Sequence, residues 1–394
     1  MNTKKILAMI VSMILLGGML GGCGGNTIKT TSVPTTSIIP FPITTSVPTP
    51  TQIVTPTPTT SGGYELTLVT DLGTIDDKSF NQGAWEGLVK YATENNITNK
   101  YYQPTEQSDD AYLASIDLAV KGGAKIVVTP GFLFEKPIWE AQTRYPNVNF
   151  ILIDGQPHPG DYNVDIRRNT VGVTYAEEQA GYLAGYAAVK DGYRALGFIG
   201  GVAVPAVIRY GYGFIQGADA AAIELGLHPG QVTINYNYSG VFVPTQEVQT
   251  MASSWYSGGT EVIFSCGGGI ASSVIAAAEA SGKKIIGVDV DQSGESNVVI
   301  TSAMKELKNS VYDCIADYYK GTFPGGQHLV FSAENNGVGL PMTTSKFKTF
   351  SQADYDNIFA KLKANEIYIV GDLVDGNPVN ITDLPTRIVK VSEF

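Results

Sequence analysis

The chain has 394 residues, with 26 Lys or Arg against 37 Asp or Glu, so its formal net charge at pH 7 is −11. Hydrophobic residues make up 43% and charged residues 16%, a composition typical of globular proteins rather than disordered ones. The acidic balance argues against a nucleic-acid-binding surface, because phosphate contacts need clustered Lys and Arg. Three Cys and three His leave little room for a metal centre or a disulfide framework. We expect no metal and no cofactor.

Residues 1–22 have the pattern of a signal peptide. Two lysines precede an apolar run over residues 6–16, which is too short to span a membrane and ends in glycines. The tail Leu20-Gly21-Gly22-Cys23 resembles a bacterial lipobox, in which the cysteine is diacylated and becomes the mature N-terminus. We expect Cys23 to hold the protein at the outer face of the cell membrane through its acyl chains. An ordinary cleaved signal peptide, with an incidental cysteine, is the alternative.

The segment 23–63 consists almost entirely of Thr, Pro, Ser, Gly and Ile. Such a composition cannot bury enough surface to fold, so we expect an extended, semi-rigid linker between the lipid anchor and a folded body. A disordered tail without a role fits the composition equally well.

From residue 64 onward, short apolar runs alternate with longer amphipathic ones. The predicted strands are Leu66–Thr70, Lys125–Thr129, Asn149–Ile153, Leu196–Ile199, Glu261–Ser265 and Lys284–Val288. The predicted helices are Asn81–Glu94, Tyr112–Lys121, Ala176–Lys190, Gly213–Glu224, Ala271–Ala280 and Leu307–Lys320. Continuously apolar strands separated by helices indicate parallel sheets that are covered on both faces. The sequence therefore predicts an α/β fold.

The alternating pattern runs twice, which favours two doubly wound lobes over one large sheet. We expect the first lobe to comprise residues 64–171 and about 301–331. The second lobe would comprise residues 172–300 and about 332–394. The chain would then cross between lobes near 169–173, 297–301 and 330–334.

Asp or Gly follows nearly every predicted strand, as at Asp71, Asp154, Gly267 and Asp289. In doubly wound sheets ligands bind beyond the carboxyl ends of the strands, so these positions are candidates for a binding site. Each residue alone is also routine in turns and helix caps.

Familiar catalytic and nucleotide motifs are missing from the sequence. No G-x-G-x-x-G follows the first strand, and there is no P-loop, nucleophile elbow or H-E-x-x-H. The pair Asp76-Asp77 is interpreted as a turn and helix cap. Cys266 and Cys314 are interpreted as core residues rather than nucleophiles. We therefore expect a protein that is not an enzyme.

The stretch Asp76-Asp77-Lys78-Ser79-Phe80-Asn81 resembles a signature of the basic membrane protein family. Members of this family are lipid-anchored substrate-binding proteins of nucleoside ABC importers. The runs Gly287-Val288-Asp289 and Thr301-Ser302-Ala303-Met304-Lys305 are further matches, and the resemblance covers residues 66–320 in consistent order. The segment Ser265–Ile270, which contains Gly267, departs from the family's usual Gly-Gly-Thr-Gly ending.

The resemblance implies a type I periplasmic-binding-protein fold whose two lobes close on a purine nucleoside. It further implies an extracytoplasmic, membrane-anchored monomer that works with an ABC permease and ATPase. The resemblance assigns base stacking to Phe80 and Phe242, and hydrogen bonding to the base or ribose to Asp71, Asn81 and Asp154. It assigns ribose binding to Asp289 and Lys305, and a close backbone approach to the ligand to Gly267. A sensor of the same fold, a sugar-binding protein and an extracellular nucleosidase are the alternatives.

Overall fold

The computed structural model describes residues 63–71, 73–374 and 376–394. The signal peptide, Cys23 and nearly all of the linker predicted above lie outside these residues. The helices are α1 (Phe80–Asn95), α2 (Asp109–Lys121), α3 (Glu135–Arg144), α4 (Glu177–Lys190), α5 (Pro205–Glu224), α6 (Gln246–Ser257), α7 (Ile270–Ser281), α8 (Leu307–Lys320) and α9 (Gln352–Lys363). In the part of the chain that the model describes, no helix is both long enough and apolar enough to cross a membrane.

Two parallel sheets form the centres of two lobes. The strands of the first sheet are, in chain order, β1 (Leu66–Val69), β2 (Asn99–Tyr102), β3 (Ile126–Pro130), β4 (Asn149–Ile153), β5 (Thr170–Tyr175) and β11 (His328–Phe331). The strands of the second sheet are β6 (Ala195–Gly200), β7 (Val232–Tyr238), β8 (Val262–Cys266), β9 (Lys284–Asp289), β10 (Val299–Lys305), β12 (Val338–Gly339) and β15 (Val389–Glu393). A separate two-stranded hairpin joins β13 (Leu373–Val374) to β14 (Asn377–Pro378).

The six strands that the sequence predicted are inner strands of these sheets, and the inner strands β5, β7 and β10 were not predicted. The first sheet has the order β11-β5-β4-β3-β1-β2, and the second has the order β12-β10-β9-β8-β6-β7-β15. Every residue of β1, β3 and β8 is buried, as expected for strands covered by helices on both faces. The predicted α/β architecture with parallel sheets is therefore the observed one, with a single antiparallel pairing, between β10 and β12, in the second sheet.

The positions at which the chain changes lobes differ from the expected ones. All of β5 pairs in the first sheet, so the expected boundary at 171 falls inside a strand. The whole of β10 pairs with β9 in the second sheet, although residues from 301 onward were expected in the first lobe. Both crossings instead follow the ends of these strands, because a strand held in register in one sheet cannot leave before its last hydrogen bond.

After β10 the chain returns to the first lobe, where α8 packs against α1, and β11 pairs with β5. It crosses for the third time after Phe331, inside the expected interval 330–334. The segment beyond contributes α9, which packs on α4, and the edge strand β15, which pairs with β7. The carboxyl ends of both sheets face the cleft that these crossings leave between the lobes.

The helices α4 and α5 cross at glycines. A Cβ atom added to Gly213 or Gly217 of α5 would collide with the carbonyl oxygens of Glu178 and Tyr182 in α4. A Cβ at Gly181 of α4 would collide in the same way with Tyr210 O. The glycines of α5 and α4 therefore serve close helix packing.

Candidate functional site

A cleft of about 860 Å³ lies between the lobes, at the carboxyl ends of the strands. All of the residues that the family resemblance assigned to a binding site line it, and they are Asp71, Phe80, Asn81, Asp154, Phe242, Gly267, Asp289 and Lys305. They come from both lobes and from distant parts of the chain. The structure therefore brings the candidate residues together, while their roles toward a ligand stay predictions.

Lys305 is the central charge of the cleft. It ends β10, is only 3% exposed, and forms an ion pair with the Asp154 carboxylate. Its Nζ also lies 3.0 Å from Oε1 of Glu177. Burial alone would lower the pKa of Lys305, but the charges of Asp154, Glu177 and Asp289 outweigh it and raise that pKa. The side chain is thus a permanent ammonium group.

Asp154 directly follows β4, and Asp289 is the last residue of β9. Both have left-handed backbone conformations, with φ of 58° and 66°, which Asp tolerates better than most residues. Burial raises the pKa of Asp154 to about 6 even beside Lys305, and burial also raises the pKa of Asp289. Asp154 Oδ1 has no hydrogen-bond partner among the described residues.

Aromatic rings surround the ammonium group of Lys305. Its Nζ lies 5.0 Å from the centre of the Phe80 ring, 5.2 Å from that of Tyr175 and 5.6 Å from that of Tyr210. These distances are within the range of cation–π attraction. Phe80, the first residue of α1, therefore presents an apolar face directly beside the charged floor of the cleft.

Asp71 and Asn81 form a polar corner at the start of α1. Asp71 Oδ1 accepts hydrogen bonds from Gly73 N at 2.7 Å and from Asn81 Nδ2 at 3.3 Å. Burial raises the pKa of Asp71. The same Asn81 Nδ2 donates to Asp77 Oδ2 at 3.1 Å, so the amide orientation is fixed by two carboxylates.

Asp77 itself caps α1. Its carboxylate accepts hydrogen bonds from the backbone N–H groups of Ser79, Asn81 and Gln82. These are free donors of the first helical turn, which a carboxylate stabilises. For Asp77 the predicted cap is confirmed.

Phe242 and Gly267 line the second lobe's wall. The Phe242 ring lies against Gly201, where a Cβ atom would collide with it. A Cβ on Gly267 would lie 2.8 Å from Gly201 N, so the missing side chain at Gly267 already serves a contact within the protein. The expected close approach of Gly267 to a ligand stays a prediction. Next to it, Cys266 is a free, buried thiol, as predicted, and burial raises its pKa.

The sequence analysis missed a buried charge network behind the cleft. Glu177, the first residue of α4, is 0% exposed and lies between Lys305 and Arg209, whose Nε is 2.6 Å from Glu177 Oε2. Arg209 also reaches Asp372 at 3.4 Å. Arg209 was missed because α5 was predicted to begin only at residue 213. Glu177 was predicted to lie in the helix Ala176–Lys190, but it was not predicted to pair with Lys305, because only the fold brings them together.

Polar contacts join the lobes across the cleft, and three of them are shorter than the 3.9 Å ion pair of Lys78 with Glu295. Ser79 Oγ donates to Asp289 Oδ2 at 2.6 Å, and Gln292 Nε2 donates to Lys78 O at 2.8 Å. The third is the ion pair of Lys305 with Asp154. Two of these contacts involve Asp154, Asp289 and Lys305, to which the resemblance assigns ligand binding.

Comparison with known proteins supports this reading of the fold and the cleft. The family described as ABC transporter substrate-binding protein PnrA-like, abbreviated Bmp, matches residues 65–373. The chain belongs to this family. It is an ABC transporter substrate-binding protein, as the sequence signature indicated.

Curated relatives agree with this assignment. The ABC transporter nucleoside-binding protein BmpA of Lactococcus lactis is 31% identical over 322 residues, which cover 75% of this chain and 87% of that protein. The CD4+ T-cell-stimulating antigen of Listeria innocua is 29% identical over 359 residues, covering 86% and 90%. Basic membrane protein A of Borreliella burgdorferi is 28% identical over 310 residues, covering 77% and 87%.

Solved structures confirm the fold. A solute-binding protein of an ABC transporter system from Aeropyrum pernix superposes with a TM-score of 0.69 at 20% identity, covering 79% of this chain and 94% of that one. A second solute-binding protein, from Conexibacter woesei, superposes with a TM-score of 0.62 at 22% identity. The superposition covers 78% of this chain and 99% of that one. The expected periplasmic-binding-protein fold is therefore the fold of this family member.

Among the described residues no three His, Cys, Asp or Glu side chains are arranged to hold a metal ion. The carboxylates of the cleft are instead paired with Lys305, Ser79 and backbone N–H groups. The polar chemistry on offer is hydrogen bonding and ion pairing around an aromatic face.

Proposed function

We propose that this Bmp family protein captures a purine nucleoside outside the cell and delivers it to an ABC permease and its ATPase. The observation that carries the proposal is the placement of Phe80, Asp289 and Lys305 in one cleft between two lobes. An apolar ring beside a buried carboxylate and ammonium pair suits a ligand with one flat, apolar part and one hydroxylated part.

The base would stack on Phe80, with Phe242 as a second aromatic on the other lobe. Stacking of a base on an aromatic side chain contributes roughly 1–3 kcal/mol. Asp71 and Asn81 lie at the start of α1 and offer polar atoms to the base edge. Because base stacking does not depend on hydrogen bonding, this part of the site would accept several purines.

The ribose would lie against Asp289, Lys305 and Asp154. A carboxylate accepts hydrogen bonds from hydroxyl groups, and an ammonium group donates to them, each contributing roughly 1.5–3 kcal/mol. The charge of Lys305 is already balanced by Asp154 and Glu177. The ligand therefore needs no charge of its own, which suits a nucleoside.

One relative supports this ligand class, since the Lactococcus lactis protein is named as a nucleoside-binding protein. Cys23 would be the lipid attachment point that keeps the protein on the outer face of the membrane, and residues 23–63 would be the linker to the folded body. The protein would bind its ligand without chemical change, as a monomer.

Calorimetry on the wild-type protein, Phe80→Ala, Asp289→Ala and the control Asp291→Ala tests the proposal. The ligands are adenosine, guanosine, inosine, a deoxynucleoside and ribose. Asp291 is a matched control, because it lies two residues from Asp289 but is exposed and does not line the cleft. Wild type should bind purine ribonucleosides at micromolar dissociation constants or tighter, which is about −8 kcal/mol or better.

Phe80→Ala should weaken all purine nucleosides by a similar 1–3 kcal/mol, whatever the sugar. Asp289→Ala removes the Ser79 contact, which should weaken every ligand, and also the ribose hydroxyl acceptor, so ribonucleosides should lose more affinity than the deoxynucleoside. Asp291→Ala should bind like wild type. Ribose binding as tightly as the nucleosides would point to a sugar-binding protein, and free base appearing in the incubation would point to a nucleosidase.

A further inference from the structure

The loop between β4 and β5 places an exposed aromatic side chain at the cleft. Tyr162 lines the cleft, yet 82% of its surface is accessible to solvent. Its backbone is left-handed, with a φ of 61°, a conformation that Asn and Gly adopt far more readily than a bulky aromatic residue. The family resemblance assigned no ligand-binding role to Tyr162.

The partly exposed Glu135 and the buried His158 form a pair beneath the loop and fix its course. Glu135 Oε1 accepts a hydrogen bond from Gln156 N at 3.0 Å, and Glu135 Oε2 lies 3.0 Å from His158 Nε2. Gly160 N donates to His158 Nδ1 at 3.0 Å, so Nδ1 is the acceptor and Nε2 carries the proton that reaches Glu135. The Tyr162 ring rests against the buried His158 ring, with their centres 4.9 Å apart.

A second set of contacts braces the far side of the loop. Asp161 accepts hydrogen bonds from the backbone and the side chain of Asn163, at 3.0 and 2.7 Å. Asp165 N donates to Pro157 O at 2.9 Å, and Gln142 Nε2 donates to Asp165 O at 2.8 Å. The loop is thus a built support, and the left-handed tyrosine is held in place on both sides.

We propose that Tyr162 is a further ligand-contacting residue, whose ring covers the outer end of a nucleoside bound in the cleft. This inference rests on the proposed function. A bound ligand at the cleft would bury apolar ring surface that water now covers, which is favourable and requires no buried polar group to be exposed. The ring would contact the ligand only in the bound complex, so its removal should act mainly on the dissociation rate.

The test compares Tyr162→Asn and Tyr162→Phe with the wild-type protein, using guanosine and inosine as probes. Asn removes the ring and keeps a residue that tolerates the left-handed backbone, whereas Phe keeps the ring. The matched control is Tyr368→Asn, because Tyr368 is 79% exposed and does not line the cleft. Calorimetry gives the dissociation constants, and stopped-flow displacement gives the dissociation rates.

Tyr162→Asn should bind both nucleosides about tenfold more weakly, which corresponds to about 1.4 kcal/mol, and most of the change should be a faster dissociation rate. Tyr162→Phe should stay within about twofold of wild type, since the stacking face is kept. Tyr368→Asn should be unchanged. The melting temperature of ligand-free Tyr162→Asn should not fall.

Wild-type affinity in Tyr162→Asn would overturn the inference and leave the proposed function standing. A lower melting temperature of that variant without ligand, together with weaker binding, would also overturn it, because the ring would then be structural. If the wild-type protein bound no purine nucleoside, the proposed function would be wrong, and the role of Tyr162 would be overturned with it.

Discussion

Replacing Glu177 by glutamine should destabilise the folded protein, because this side chain lies fully buried between two cations. Its Oε1 is 3.0 Å from Lys305 Nζ, and its Oε2 is 2.6 Å from Arg209 Nε. Burial alone would raise the pKa of Glu177, but the charges of Arg209 and Lys305 outweigh it and lower that pKa. The carboxylate is therefore ionised and needed by both partners.

The magnitude follows from what remains after the substitution. Removing one partner of a buried ion pair costs about 3–5 kcal/mol, since the other charge is left buried without compensation. Here Lys305 keeps Asp154, and Arg209 keeps Asp372. Glutamine also preserves the shape of the side chain. We therefore expect Glu177→Gln to lower the free energy of unfolding by about 3 kcal/mol, the lower end of that range.

The adjacent Glu178 provides a matched control with the opposite expectation. Burial, with the nearby charge of Glu177, raises the pKa of Glu178 to about 7 from its ordinary value of 4.5. The folded state thus binds a proton more tightly than the unfolded state between these two pH values. By linkage, the stabilising contribution of the Glu178 carboxyl to the free energy of unfolding is lost as the pH rises from about 4.5 to about 7. Glutamine cannot ionise and avoids the penalty.

Glu178→Gln should therefore match wild type near pH 4 and exceed it above pH 7, by up to about 3 kcal/mol. Urea unfolding of both variants and wild type, followed by circular dichroism between pH 4 and pH 8, measures these differences. A Glu177→Gln protein as stable as wild type at pH 7 would refute the buried network. Equal losses in both variants would refute the distinction between the two glutamates.

Further predictions concern the helix crossing, the lobes and the anchor. Gly217→Ala should destabilise the protein by about 1–3 kcal/mol in thermal unfolding, because the new methyl group meets Tyr182 O; an unchanged melting curve would contradict the close α4–α5 packing. Ser79→Ala removes the hydrogen bond to Asp289, so its ligand-free form should have a larger radius of gyration in small-angle scattering, and a saturating purine nucleoside should reduce it. Scattering that is identical to wild type would argue against that contact as a closure element. Cys23→Ala should release the protein into the culture medium, whereas retention in the membrane fraction would rule out lipidation at this residue.

Six inner strands could be predicted from the sequence because their physical requirement is local, whereas the inner strands β5, β7 and β10, which carry Thr, Ser or Asn among apolar residues, were not predicted. A strand covered on both faces must be apolar at nearly every position, as at Asn149–Ile153, where the predicted and observed bounds agree. The edge strands β2 and β11 were not predicted, since their partly exposed faces carry mixed residues. The helix cap at Asp77 was also readable, because capping involves only neighbours in the chain.

The candidate site was predicted from a family signature and from the residues that follow strands, and the structure places those residues in one cleft. What the signature did not contain was the support around them. Glu177 pairs with Arg209 through a contact across 32 positions, and Asp191 accepts hydrogen bonds from the backbone of Lys348 and Thr349. No local pattern specifies such partners, because they are set by how helices and loops meet after the sheets have formed.

The sequence by itself determined that this protein is an α/β substrate-binding protein of the Bmp family, since the apolar pattern and the family signature both consist of residues that are close together in the sequence. Only the tertiary structure decided that β10 belongs to the second sheet, that Lys305 is shared by Asp154 and Glu177, and that Tyr162 stands at the cleft. These features depend on strand register and on packing between segments far apart in sequence. Their free energy arises from contacts that do not exist until the two lobes have folded.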